Sequence, residues 1–333
     1  MTVQEISNDV RSGSVHDRYG RRLNSIRISL TQRCNLRCFY CHKEGENISV
    51  GESEMKTEEI TEIAKIACEL GMKKIKLTGG EPLLRLDLPQ IIAEIAKYAD
   101  EVSMTTNGVL LKEHARNLSN AGLKRVNVSL PSLSPEGFMR ITKQDYVNNV
   151  KEGIETAIKS NLHPVKLNMV MLKGINIGEI PQAIEYAQHV GAILQLIEFQ
   201  PIQTENHIYW KNHHYDPDSL ERRLQNEAIK TQENPLHKRK RYILERNDST
   251  VWVEVVRPMH NSLFCQNCTR LRVTSNGKLK PCLLRNDNLV DVVSLIRTCD
   301  DPSRIRKAFQ DAILLREPYW RIKEESQIHL SAN

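Results

Sequence analysis

Six of the eight cysteines in this 333-residue chain fall into two groups of three, Cys34, Cys38 and Cys41 and then Cys265, Cys268 and Cys282, while Cys68 and Cys299 stand alone. The spacings are C-x3-C-x2-C and C-x2-C-x13-C. The first twenty residues are polar and charged, without the apolar middle of a secretion signal, and in such a chain grouped cysteines bind metal or act in catalysis more often than they form disulfides. Structural zinc closes a tetrahedron with four ligands, usually two C-x2-C-like pairs. Three thiolates instead hold a cubane iron–sulfur cluster and leave one iron open for a ligand. A lone C-x2-C would read better as a zinc knuckle, but two groups of three make two open-site clusters the simpler account. Cys68, in the pattern IAKIACEL, reads as a buried small hydrophobe.

Hydrophobic residues make up 40% of the chain and charged residues 26%, which excludes a disordered or fibrous chain. No apolar run is long enough to span a bilayer, so the expectation is a cytoplasmic protein with no membrane partner. The net charge of +6 favours an anionic ligand.

Between residues 25 and 200, short β-rich runs alternate with helical patterns. The spacing predicts strands at Ile26–Leu30, Lys74–Leu77, Glu101–Thr105, Arg125–Leu130, Val165–Val170 and Ile193–Phe199. Helices are predicted at Thr57–Leu70, Leu88–Tyr98, Leu111–Asn120, Val147–Ser160 and Glu179–Val190. Six βα repeats imply an α/β domain with a parallel sheet. The first cysteine group, Gly79-Gly80-Glu81-Pro82 and Thr106-Asn107-Gly108 each follow a strand, and activity all around one rim favours a barrel over an open sheet. After Pro201 the pattern changes to a charged helix at Asp216–Lys230, a basic run Lys238–Arg241 read as a solvated loop, and β-rich runs at Tyr242–Glu245, Thr250–Val256, Leu271–Thr274 and Lys278–Lys280. Residues 1–200 and 201–333 are therefore expected to form a larger and a smaller domain.

C-x3-C-x2-C with an aromatic before its last cysteine, followed by Gly-Gly-Glu-Pro, resembles the radical S-adenosylmethionine (SAM) superfamily. The resemblance implies an incomplete (βα)6 TIM-like barrel in which Cys34, Cys38 and Cys41 bind a 4Fe–4S cluster whose open iron chelates SAM. Tyr40, Gly79, Gly80, Glu81, Ser129 and Gln200 would line the SAM site. With Asp17-Arg-Tyr-Gly-Arg21, Ile26-Arg-Ile-Ser-Leu-Thr31 and the paired cysteine groups, residues 16–320 resemble the molybdenum cofactor biosynthesis protein A family, the GTP 3′,8-cyclases. In that family a 5′-deoxyadenosyl radical takes hydrogen from C3′ of GTP, the carbon radical attacks C8, and a second 4Fe–4S cluster binds the guanine base. The resemblance thus implies a smaller C-terminal α+β domain carrying that cluster on Cys265, Cys268 and Cys282. It also implies GTP contacts from Arg27, Lys74, Lys76, Thr105 or Thr106, Lys166, Arg270, Leu271 and Arg272, with Arg27 acting in catalysis. An electron donor and a downstream cyclic pyranopterin monophosphate synthase follow from the family, which also allows a homodimer.

The chain departs from the family pattern at Lys76 and Gln195, where arginine is frequent, at Gln200 in place of methionine and at Pro131 in place of aspartate; it ends Leu-Ser-Ala-Asn rather than Gly-Gly. A radical SAM peptide maturase with an auxiliary cluster is the alternative, although such domains carry more than three cysteines in the second half. Nucleic acid is not an expected partner, because aromatic residues are only 5% of the chain and scarcely interleave with the basic run.

Overall fold

The computed structural model describes residues 15–47, 53–202, 206–234, 238–258, 262–298 and 301–318; Cys299 and residues 319–333 lie outside them. After a short ribbon of β1 (Val15–His16) and β2 (Arg22–Leu23), the β-branched runs found in the sequence form the strands β3 (Ser25–Ser29), β4 (Lys74–Thr78), β5 (Glu101–Thr106), β6 (Arg125–Ser129), β7 (Lys166–Met171) and β8 (Ile193–Glu198). They lie side by side in chain order and pair in parallel, as βα repeats require. The intervening helices cover one face of the sheet: Val147–Lys159, for example, buries Val147, Val150, Ile154 and Ala157 at helical spacing.

The second half does not build a sheet of its own. Its strands β9 (Lys230–Asn234), β10 (Arg239–Arg246) and β11 (Ser249–Val256) extend the sheet beyond β8, while β12 (Arg270–Val273), β13 (Lys278–Lys280) and β14 (Val290–Asp291) extend it beyond β3. β11 pairs in parallel with β8, and β12 in parallel with β3, so eight adjacent parallel strands form the middle of a 12-stranded sheet. Among the described residues no hydrogen bonds close the sheet. It curls far enough for Arg270 of β12 and Arg239 of β10 to line one cavity. The fold is an incomplete TIM-like barrel with the C-terminal strands on both flanks.

One expectation fails here. The basic run Lys238–Arg241 is not a solvated loop, because Arg239–Arg246 is a strand and both Arg239 and Arg241 turn toward Glu254 on β11, a carboxylate with no exposed surface. Helices Pro135–Thr142, Asn206–His213 and Pro302–Leu314 have no counterpart in the sequence reading. No helix among the described residues is long and apolar enough to cross a membrane.

Two cysteine loops and a cationic barrel

The first cysteine loop leaves the C-terminal end of β3. Its sulfurs attract N–H donors: Leu36 N lies 3.4 Å from Cys34 Sγ, Lys43 N 3.5 Å from Cys41 Sγ, and Asn107 Nδ2 3.8 Å from Cys34 Sγ. Burial, and then the neighbouring Cys41 and Cys34, push the Cys38 thiol well above its usual range, so three thiolates do not coexist here without a cation to share. Among the described residues, no three His, Cys, Asp or Glu side chains converge on a site for a single ion. The loop's fit to an iron–sulfur cluster rests on three thiols carried by one short loop and on donors aimed at sulfur, the arrangement that tunes such clusters.

Gly79 and Gly80 serve this loop directly. Gly79 has φ +145°, and a Cβ on either glycine would run into the main chain of Thr31 or Arg33, which lead into Cys34. Gly80 N donates to Thr31 O at 2.6 Å and Glu81 N to Arg33 O at 2.8 Å. Glu81 is fully buried and accepts from Thr106 Oγ1 (2.7 Å), Asn107 N (2.7 Å) and Leu83 N (3.0 Å). Desolvation raises its carboxyl to about 7. Glu81 thus fixes Asn107, which reaches Cys34. Tyr40 packs edge-on against Phe39 and Phe199, Ser129 ends β6 beside Asn168, and Gln200 follows β8.

The second cysteine group sits at the opposite end of the barrel. Cys265 and Cys268 precede β12, which runs parallel to β3, whereas the first loop follows β3. β13 returns antiparallel and delivers Cys282 to the same end as Cys265 and Cys268. Burial opposes ionisation of Cys268, but Arg316, Arg270 and Arg272 outweigh it and hold this thiol below its usual value. A low thiol favours a metal-bound thiolate.

A cavity of about 520 Å³ opens at this end, lined from the first residues of successive strands. Arg27, Lys74, Lys76, Arg125, Lys166, Arg239 and Arg270 contribute seven cations to its lining against a single carboxylate, Glu101. Arg125 is matched to Glu101 at 2.6 Å. Among the described residues Lys76 has only Asn127 Oδ1, at 3.1 Å, and its amine is driven well below the usual lysine value by burial and by Arg125, Arg27 and Arg270. Arg270 makes no hydrogen bond or ion pair with a carboxylate among the described residues, and Nε of both Arg27 and Arg270 is buried without a partner. Burying cations in this way is costly unless an anion joins them.

Two carboxylates hold part of this charge. Glu44, just after the first cysteine loop, accepts from Arg27 Nη1 at 3.3 Å, Arg272 Nη1 at 3.2 Å and Thr78 Oγ1 at 2.8 Å. Burial alone would raise its carboxyl, but Arg27, His42 and Arg272 hold it at about 2. Glu254 receives Lys166 Nζ at 3.0 Å, together with Arg241 and Gln195. Lys166 falls to about 8, because burial outweighs the support of Glu254.

The structure distinguishes the two threonines. Thr106 is committed to Glu81 and to Gly108 N, whereas the hydroxyl of Thr105 is buried without a partner. Leu271 lies in the apolar core, on the face of β12 opposite Arg270 and Arg272, so its side chain does not face the cavity. Glu44, Glu254 and Asn127 escaped the sequence reading, since their partners lie in distant segments.

Comparisons with known proteins give the family and the fold. Residues 28–187 match the family model of the Radical SAM superfamily, and residues 192–322 that of Molybdenum Cofactor Synthesis C. A protein of Thermococcus kodakarensis named "Probable GTP 3′,8-cyclase" is 48% identical over 308 residues, covering 92% of this chain and all of that protein. A protein of the same name from Pyrococcus abyssi is 47% identical over 305 residues, covering 91% and 99%. Among solved structures, Streptococcus suis SuiB bound to the precursor peptide SuiA superposes with a TM-score of 0.65 at 14% identity, covering 95% of this chain and 74% of that one. Native anSMEcpe with bound AdoMet gives 0.54 at 16%, covering 91% and 85%. At such identities these two likenesses show the fold alone.

Proposed function

Because the chain belongs to the GTP 3′,8-cyclase family of radical SAM proteins, we propose that it converts GTP to (8S)-3′,8-cyclo-7,8-dihydroguanosine 5′-triphosphate, a lyase reaction that opens molybdenum cofactor biosynthesis. The observation that carries this reading is the surplus of cations lining the cavity, including Arg270, which has no carboxylate partner among the described residues. A triphosphate supplies the missing charge, and guanidinium forks suit its oxygens. A peptide substrate leaves that surplus unexplained, and the relatives at 45–48% identity do not favour a maturase.

Cys34, Cys38 and Cys41 would hold the SAM cluster, and Cys265, Cys268 and Cys282 a second cluster beside the base. When bound, the first cluster and SAM supply the 5′-deoxyadenosyl radical that takes hydrogen from C3′. Arg27, Lys74, Lys76, Lys166 and Arg270 would hold the phosphates from the cavity lining and Arg272 from its place beside Glu44, and Thr105 offers its unpartnered hydroxyl. Placing the two cysteine loops at opposite strand ends leaves the nucleotide to span the barrel, with the sugar toward the first loop and the base toward the second. A cytoplasmic setting, an electron donor, a downstream pyranopterin synthase and a homodimer belong to the same reading.

Equilibrium binding of GTP as a function of pH tests the phosphate site. Lys166 is cationic below about pH 8 and neutral above it, so affinity is highest below that value. Affinity declines by up to about tenfold per pH unit as pH rises from 8 toward the higher pKa that Lys166 has beside bound phosphate. Glu254→Gln removes an anion that supports the charged amine and starts the decline at lower pH; Lys166→Met removes the part of the decline that begins near pH 8. A flat profile between pH 7 and 9.5 in the unmodified protein would contradict the assignment.

A further inference from the structure

Asp17 opens the sequence Asp-Arg-Tyr-Gly-Arg, between the two strands of a small ribbon, β1 (Val15–His16) and β2 (Arg22–Leu23), outside the main sheet. No part of its side chain is exposed. Oδ1 accepts the main-chain N–H groups of Tyr19 and Arg21, each at 3.0 Å. Oδ2 accepts two guanidinium groups, Arg21 Nε at 2.7 Å and Arg316 Nη1 at 2.8 Å. Arg316 comes from the far end of the chain, 299 residues away, and is only 1% exposed.

The other ends of both guanidinium groups reach one place. Arg316 Nη2 donates to the carbonyl of Cys268 at 2.7 Å, and Arg21 Nη1 to the carbonyl of Cys265 at 3.3 Å. Asn24 N and Ser25 N, which follow the ribbon, donate to Thr269 O, so the next residue of the loop is strapped to the same segment. These contacts are made to main-chain carbonyls. A buried ion triad is a poor source of stability, since apolar residues of like volume often serve as well, but it fixes geometry and makes the loss of one member costly.

We propose that Asp17, Arg21 and Arg316 form a positioning clamp that holds the main chain of Cys265 and Cys268 so that both thiols face the second cluster. The inference rests on reading the second cysteine group as a ligand set. None of the three lines the cavity, and they act through the main chain of the cysteine loop. Gly20, with φ +73°, lets the Asp-to-Arg segment turn back on its own carboxylate.

The test uses the full-length protein, reconstituted anaerobically with iron and sulfide, alongside Asp17→Asn, Arg316→Met, Arg316→Lys and Cys268→Ala. Two 4Fe–4S clusters give about eight irons per chain in the unmodified protein. In Asp17→Asn and Arg316→Met the content falls toward about four, as in Cys268→Ala, or the second half is lost to a chelator at least about tenfold faster. The electron paramagnetic resonance signal of the first cluster and its response to SAM persist, while the GTP-dependent change at the second cluster disappears. Arg316→Lys keeps the charge beside Asp17 but cannot span carboxylate and carbonyl together, so it restores the melting temperature without restoring iron retention. Variants that hold about eight irons with unmodified release rates overturn the clamp, as does loss of both clusters in step with global unfolding seen by circular dichroism. An unmodified protein that binds only about four irons would instead sink the second-cluster reading beneath it.

Discussion

Cys38→Ala protein, reconstituted and incubated with SAM and reductant, releases no 5′-deoxyadenosine above background, a loss of more than about 100-fold. The magnitude follows from the geometry of the first loop. Cys38 is the most deeply placed of its three thiols, and its main chain is held by the Cys41 N to Cys38 O hydrogen bond, at 3.0 Å. Alanine leaves that turn intact, so the fold survives, but a two-thiolate loop does not retain a cubane with one open corner. Asn107→Ala provides the graded control. Asn107 donates to Cys34 Sγ and to Asn35 Oδ1 without being a ligand, so its loss costs about 10–100-fold and leaves measurable cleavage. Retained cleavage in Cys38→Ala would remove the first cysteine group from the mechanism.

The second large effect divides cleavage from cyclisation. Cys268→Ala continues to release 5′-deoxyadenosine, uncoupled from substrate, while the GTP-derived product falls below detection. The separation is expected because the two cysteine groups lie at opposite ends of the parallel strands, one after β3 and the other before β12. Cys268 is also the thiol that Arg316, Arg270 and Arg272 surround, and two of these arginines are proposed phosphate ligands. Its loss therefore disturbs base and phosphates together. Cyclised product from the Cys268→Ala protein, read by mass spectrometry, would end the role assigned to the second group.

Much of this was legible in the chain because the decisive signals are local. Strand and helix periodicity gave the six parallel strands to within two residues, since alternating β-branched runs and helical spacing are properties of short windows. The cysteine groups and Gly79-Gly80-Glu81-Pro82 were also readable as short motifs. What stayed hidden depends on segments that meet only after folding. Glu44 and Arg272 are 228 residues apart, and Lys166 and Glu254 88 apart, and nothing around either carboxylate marks it as a partner of those cations. The run Lys238–Arg241 looked solvated because the buried Glu254 that draws in Arg239 and Arg241 lies on the neighbouring strand. Alternation along a strand separates Thr105 from Thr106 and Leu271 from Arg270, yet which face meets the cavity is set by the curl of the whole sheet.

The glycine motif shows how a correct motif can carry an unexpected task. Its close approach is to the backbone entering the first cysteine loop, through Thr31 and Arg33, and its carboxylate is spent on Thr106, Asn107 and Leu83. The motif therefore builds the platform on which the cysteine loop rests. Glu44 links that platform to the cavity, since it follows Cys41 closely and bridges Arg27 to Arg272.

The most direct test is to incubate the anaerobically reconstituted protein with SAM, a strong reductant and GTP, and to measure 5′-deoxyadenosine and cyclised nucleotide by mass spectrometry. Both products are expected in comparable amounts, with the nucleotide retaining its triphosphate and joined between C3′ and C8. Release of 5′-deoxyadenosine with GTP recovered unchanged would contradict this expectation and point the same radical chemistry at another substrate.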